Sequence, residues 1–346
     1  MKRIFIFFLI AATFASCTTS IPLQVIKPAD VTLPSEIQKF TLVNRTRPNK
    51  KNQAWNIIEG VLTGEGLFAD REGAENTLGG LMQIMTNNPI RYTINQASVE
   101  FKGTGTEEFA RPLTWAEVEN LCKQYNSEAL IVLEAFDSDS HLTQDSKQVT
   151  IKDKEGLPAT VTEFYSHARM EVKSGWRIYY PKEKKIVDEY HFSDFLTFDA
   201  KGTNPENATA ALPNKRECIK KTGFQAGNTY GYRISPQWIT VSRYFYTRGN
   251  DNMKFAGKKV KQIRDWKGAM EIWKKEALNS DTKIAWHANY NMAVGCEREG
   301  NLEAALEWAK KAYERGHKSA AAQYVNTIKY RISEQKRADE QMKGKQ

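Results

Sequence analysis

Four thiols and five imidazoles carry the readiest chemistry in this chain of 346 residues: Cys17, Cys122, Cys218 and Cys296, and His141, His167, His191, His287 and His317. A zinc site needs ligands at characteristic spacings, such as HExxH or two histidines three to five residues apart, and neither pattern occurs. "FDSDSH" collects Asp137, Asp139 and His141, donors that would suit a cation. A calcium loop also requires a glycine at its sharp turn and a distal glutamate, so this stretch reads instead as an exposed polar turn. "LTGEGLFADREG" is glycine-rich but has no GKS or GKT to cradle phosphate, and no GxSxG nucleophile turn is present. No metal, cofactor or catalytic residue is expected from these patterns.

Cys17 has a different context. Lys2 and Arg3 precede an uncharged run from Ile4 to Phe14, followed by the small residues Ala15 and Ser16. A bilayer span needs roughly 20 apolar residues, so this shorter run reads as the core of a signal peptide. "FASC" resembles the lipobox of bacterial lipoproteins. That resemblance implies cleavage between Ser16 and Cys17, with acylation (palmitate among the chains) of Cys17 as the protein's link to membrane lipid. Two or more acyl chains anchor a protein stably. Thr18, Thr19 and Ser20 lack the acidic run of a surface-export signal, which makes the periplasmic side of the outer membrane the expected location. The other three cysteines are odd in number and lack CxxC spacing, so reduced, buried thiols are expected.

Charge is unevenly spread. The chain has 50 Lys+Arg against 41 Asp+Glu, a formal net charge of +9. From Asp251 to Gln346 there are 20 basic and 13 acidic residues, a net of +7. Once Lys2 and Arg3 leave with the signal peptide, the whole basic excess lies in that last part. Such a surface suits an acidic protein or anionic lipid headgroups, and export argues against nucleic acid.

The elements that would position any site divide the chain into a signal peptide (1–16), a lipidated cysteine and Pro-containing tether (17–35), an α/β sheet domain (36–250) and a helical module (251–346). In the tether, Pro22, Pro28 and Pro34 interrupt apolar residues that share no periodic face. "IQKFTLVNRT" alternates as a strand does; "AENTLGGLMQIMTNN" places Ala74, Leu78, Leu81, Met82 and Met85 on one helical face; "IRYTI" reads as a strand. Thr114 and Glu117 have capping-box spacing before a second helix. "EALIVLEAF" runs without alternation, as a strand covered on both faces would. From Val149 to Phe198 the period is 2 throughout, which predicts consecutive short antiparallel strands with a turn at "PKEKK". Gly223, Gly227 and Gly231 recur every four residues, consistent with a helix packed very closely on the sheet or with a glycine-rich loop. This order of elements, with "FTLVNRT" and "SGWRIYY", is similar to the periplasmic domains of curli-secretion-type lipoproteins and the amino-terminal domain of the Tol-system propeller protein.

Self-similarity is strongest near the C-terminal end. "RDWKGAMEIWKKEAL" aligns with "GNLEAALEWAKKAYE" at an offset of 36, matching Trp266 with Leu302 and Ala269 with Ala305. "WHANYNMAVGCEREGNLEAALEWAKKA" resembles a tetratricopeptide repeat. The resemblance places Met292 and Ala293 at its Leu-Gly pair, Gly300 at its turn, and Ala305 and Ala312 at its small helix contacts. "AAAQYVNTIKYRI" supplies a capping helix. Lys274, Lys275, Lys310 and Lys311 recur at one repeat position, either as a solvated face or as a partner-binding one. Taken whole, the lipobox, "VNRT", "ISPQWITVSRYF" and the repeat pair resemble an uncharacterised family of Bacteroidota lipoproteins, a domain of unknown function.

An α+β chain is therefore expected, in which a sheet domain precedes a tetratricopeptide-like helical module. The functional expectation is a non-enzymatic envelope lipoprotein that binds an envelope protein through its repeats. The alternative is an envelope enzyme with its site in a cleft of the sheet domain.

Overall fold

The computed structural model describes residues 18–48, 64–87, 89–90, 92–98, 101–103, 108–152 and 154–343; Ser16 and Cys17, the expected cleavage and acylation positions, lie outside them. The described residues form two compact units. A sheet unit runs from Pro28 to Gln237 and is completed by the stretch from Ala338. A helical unit runs from Trp238 to Arg337 and is completed by the stretch that ends at Lys27.

The first element, β1 (Thr18–Lys27), corrects the expectation of a free tether. It pairs with β9 (Gln237–Tyr246) as a two-stranded ribbon, and Leu23, Val25 and Ile26 are buried. Beyond it, the Ala29 amide donates to Gln341 Oε1 at 2.9 Å while Gln341 Nε2 donates back to the Ala29 carbonyl at 3.0 Å. Leu33 and Ile37 enter the core of the sheet unit. The prolines punctuate the segment without freeing it, because its partners lie hundreds of residues away.

The sheet unit contains β2 (Lys39–Asn44), β3 (Arg47–Pro48), α1 (Gly64–Met85), β4 (Thr93–Gln96), β5 (Lys102–Gly103), α2 (Trp115–Gln124), β6 (Ala129–Lys152), β7 (Pro158–Tyr180), β8 (Lys185–Gly202), α3 (Pro205–Ala210) and α4 (Lys215–Ile234). Its five-stranded sheet has the order β4-β2-β6-β7-β8. β2 pairs in parallel with β4 and β6; β7 pairs antiparallel with both β6 and β8. Thr114 caps α2 with both halves of the capping box in place. The start of β6 is covered on both faces, as its unbroken apolar run predicts. Ile131 and Leu133 join Phe40, Leu78 and Trp176 in one core, while Leu130 and Val132 join Val43, Val118 and Leu121 in another.

Four local expectations need correction. The stretch 149–198 is not a series of short strands, because β6 and β7 pair from Leu130↔Tyr179 to Lys152↔Pro158, with one irregularity at Leu133/Ala135. No glycine or proline falls between Ala135 and Ile151, so nothing interrupts the ladder. Asp137, Asp139 and His141 consequently lie on a strand and not in a turn. α1 begins at Gly64, well before the periodic face that starts at Ala74. The glycines of α4 face α1 and not the sheet: a Cβ at Gly227 would meet the Thr77 carbonyl oxygen at 1.9 Å, and one at Gly80 would meet that of Phe224 at 2.0 Å. Only hydrogen fits at such a crossing.

In the helical unit the β1–β9 ribbon accompanies α5 (Asp251–Ile263), α6 (Trp266–Glu276), α7 (Thr282–Arg298), α8 (Leu302–Gly316) and most of α9 (Ser319–Met342). The self-similarity reappears as backbone geometry. Arg264 and Gly300 both have positive φ, at 55° and 80°. The next residues, Asp265 and Asn301, cap α6 and α8 by accepting from Gly268 N at 2.9 Å and Ala304 N at 3.0 Å. Ala269 and Ala305 are fully buried one turn further on.

Candidate functional site

Two motifs of the sheet unit meet at one buried carboxylate. The irregularity after Leu133 turns Glu134 into the interior. Arg45, from "VNRT", donates Nη1 to Glu134 Oε2 at 2.8 Å, and Tyr179, from "SGWRIYY", donates its hydroxyl to Oε1 at 2.9 Å. Arg177 Nη1 lies 3.4 Å from Oε1. Burial holds the Glu134 carboxyl above its usual pKa in spite of the opposing arginines. The cluster also grips the segment 108–113: Arg45 Nη2 donates to the Arg111 carbonyl at 3.0 Å, Arg177 Nη1 to that of Ala110 at 2.7 Å, and the Leu113 amide to the Tyr179 hydroxyl at 3.1 Å. Phe109 stacks under the Arg177 guanidinium at 4.6 Å. Both carboxylate oxygens are engaged, so the arrangement is a lock. Each motif is visible in the sequence, but its charges belong together only once β2, β6 and β7 are adjacent.

Two further titratable groups stand out in this unit. On the open face of the β6–β7–β8 ribbon, His167 Nδ1 lies 2.6 Å from Asp199 Oδ1 and Nε2 lies 3.4 Å from Asp145 Oδ2. The hydrogen bond that the imidazole donates to Asp199, reinforced by Asp145, holds its pKa above the usual value. Asp137, Asp139 and His141 alternate along the same face of β6. Among the described residues, no group of three His, Cys, Asp or Glu side chains could hold a metal ion. Asp70 of α1 accepts from the Ser138 hydroxyl, and burial pushes its carboxyl up to about 6.

The helical unit brings most of the repeat residues together. Trp266, Ala269, Met292, Ala293, Ala305 and Ala312 share its core, and Gly300 is exposed at the turn between α7 and α8. Lys274, Lys275 and Lys311 are exposed; Lys310 is half-buried and donates to Glu307 at 2.7 Å. Lys311 extends over the Trp308 ring at 4.7 Å. Cys296 is buried with its thiol pushed up to about 11, and Cys122 and Cys218 are buried as well; all three are free.

A feature that repeat alignment does not reveal is how β9 covers α7. Tyr246 stacks on His287 at 3.9 Å and Tyr244 on Tyr290 at 5.3 Å. Arg243 donates Nε and Nη2 to the two oxygens of Glu297, each at 2.9 Å, and the Tyr324 hydroxyl donates to Glu297 at 2.7 Å. α7 is consequently buried along almost its whole length from Ala285 to Glu297. Alternating aromatic residues in "SRYFY" and the polar run "HANYN" are the signals present in the sequence, and their pairing is tertiary. Among the described residues, no helix is long and apolar enough to cross a membrane.

Two family matches divide the chain after β9, so the first carries that strand together with the sheet unit. Residues 255–332, from α5 into α9, match a domain of unknown function, DUF6340. No curated protein matches the chain. Residues 37–246, from the core residue Ile37 to the end of β9, match a second domain of unknown function. Since that match spans more than half of the sequence, the chain belongs to the family described as a domain of unknown function, DUF8603.

Proposed function

We propose that this chain is a non-enzymatic, membrane-anchored lipoprotein of a bacterial envelope, of the Bacteroidota type, held through acylated Cys17 and facing the periplasm from the outer membrane. Its tetratricopeptide-like helical unit binds an envelope protein. The sheet unit, with an order of elements like that of curli-secretion-type lipoproteins, serves as scaffold. The observation that carries the reading is the repeated cap-and-seam register of α6 and α8, since stacked repeats of this kind build binding surfaces more often than catalytic ones. β9 already fills the face of α7, which leaves the outer helices with Lys274, Lys275, Lys310 and Lys311 as the surface for an acidic partner.

The test uses lipidated protein purified from native membranes after crosslinking, with mass spectrometry of what is captured. A partner recovered by the wild type at low salt and lost in the Lys274→Gln, Lys275→Gln, Lys310→Gln, Lys311→Gln variant supports docking through these lysines. Capture that survives both the variant and high salt sinks it. Cys17→Ser should leave the chain uncleaved or soluble, and wild-type processing of that variant would end the lipoprotein reading. The alternative, an envelope enzyme, rests on Asp70 beside Ser138, and would be favoured by an envelope activity abolished in Asp70→Asn.

A further inference from the structure

The first described residues lead directly to a basic cleft. Residues 19–22 of β1 form one side of an opening of about 450 Å³ whose other side presents Lys261, Arg264, Trp266 and Arg298. Among the described residues, three cations line it and no carboxylate does. Arg298 is steadied by the Trp266 ring, 5.1 Å away, so its charge is held at the cleft and does not swing freely. Lys261 also ends a stripe on α5: Lys254, Lys258 and Lys261 recur at helical spacing and all are exposed. Beside them Phe255 is 56% exposed, and at the helix end Ile263 is 68% exposed. Lysines next to exposed apolar side chains are what an interfacial helix shows to lipid headgroups and acyl chains.

Covalent geometry adds a location. Thr18 follows Cys17 directly, so any lipid on Cys17 would be tied within about 8 Å of the Cα of Thr19, two steps of about 3.8 Å. An acidic protein would meet the same charges, but the tether guarantees only a bilayer within reach of this cleft. We infer that the cleft and the α5 stripe form a seat for the phosphate groups of an anionic phospholipid surface, turning the helical unit toward the membrane that holds Cys17. The orientation rests on the anchoring reading above, whereas headgroup binding needs only the cleft.

The chain from Thr18 onward keeps every described element and lacks the Cys17 thiol, so it separates the two. It is sedimented with vesicles of phosphatidylcholine alone and with vesicles that also contain phosphatidylglycerol. Binding should require the anionic lipid and weaken with salt. The variant Lys258→Gln, Lys261→Gln, Arg264→Asn, in which asparagine tolerates the left-handed backbone, should keep the wild-type melting profile. It should lose about a hundredfold in partitioning, about fivefold for each charge at an anionic surface. Equal binding to both vesicles, or undiminished binding by the variant, overturns the inference. Loss of acylation in the cell with vesicle binding intact would overturn the anchoring reading alone.

Discussion

Asn291 on α7 holds both backbone polar atoms of Tyr246 on β9: its Nδ2 donates to the carbonyl and its Oδ1 accepts from the amide, each at 2.7 Å. The carboxamide stands in for a neighbouring strand, and it is fully buried. Asn291→Leu removes both bonds at once and leaves a donor and an acceptor without partners. At about 1 to 3 kcal/mol for each abandoned group, the helical unit should lose about 2 to 6 kcal/mol in a denaturant titration. A loss under about 1 kcal/mol would mean that water takes over both positions.

Glu134 is the second buried polar centre, and its removal tests the lock on the segment 108–113. Glu134→Gln leaves Arg45 and Arg177 facing each other across a neutral amide. Breaking a buried pair in this way costs about 3 to 5 kcal/mol. The expected readouts are that loss in the sheet unit and faster proteolysis within 108–113. Wild-type stability would show that Glu189, 2.6 Å from Arg177 Nε, suffices as counter-ion.

Ala305 is fully buried in the seam of the helical unit. Ala305→Arg drives a long cation into a space sized for a methyl group, and an unpaired buried charge costs several kcal/mol. Melting of the helical unit should then precede that of the sheet unit in calorimetry. An unchanged profile would place residue 305 in solvent and break the offset of 36 between Ala269 and Ala305.

His287 makes the helical unit sensitive to acid. Its ring is buried against Tyr246, and burial, aided by Lys283, lowers its pKa to about 4. In the unfolded chain the imidazole titrates near its ordinary value of about 6.5. Between these values the unfolded state binds more protons, so this contribution is fully present above about pH 6.5 and disappears as pH falls through about 4. The displacement corresponds to about 3 kcal/mol. His287→Phe keeps a stacking ring without the titration, and its stability should fall less than that of the wild type between pH 7 and 4. Parallel curves for the two proteins would show that carboxylates alone set the acid response.

Elements with strong local signals were legible in the sequence. The capping box at Thr114 and Glu117 and the unbroken apolar run at 129–133 depend on residues close together in the chain, and the register that relates Trp266 to Leu302 on one such local pattern repeated at an offset of 36. The misread parts depend on distant partners. Leu23 and Ile26 look like apolar residues in a Pro-rich tether until β9 lies beside them. Asp137, Asp139 and His141 look like a turn because their alternation is polar on both faces, and only pairing with β7 makes them a strand. The same holds for the candidate sites: Arg45, Glu134 and Arg177 come from three strands, and the cleft at Lys261 needs residue 19 to close it.

The hydrogen bonds between Ala29 and Gln341 join positions 312 residues apart, and β1 awaits β9 at Gln237–Tyr246. Neither unit is a continuous stretch of chain, and neither family match, 37–246 or 255–332, includes β1, Ala29 or Gln341. A ribosome must therefore release residue 341 before the sheet unit can be finished, although most of its strands emerge far earlier. Such an order of synthesis delays completion of the fold until nearly all of the polypeptide exists.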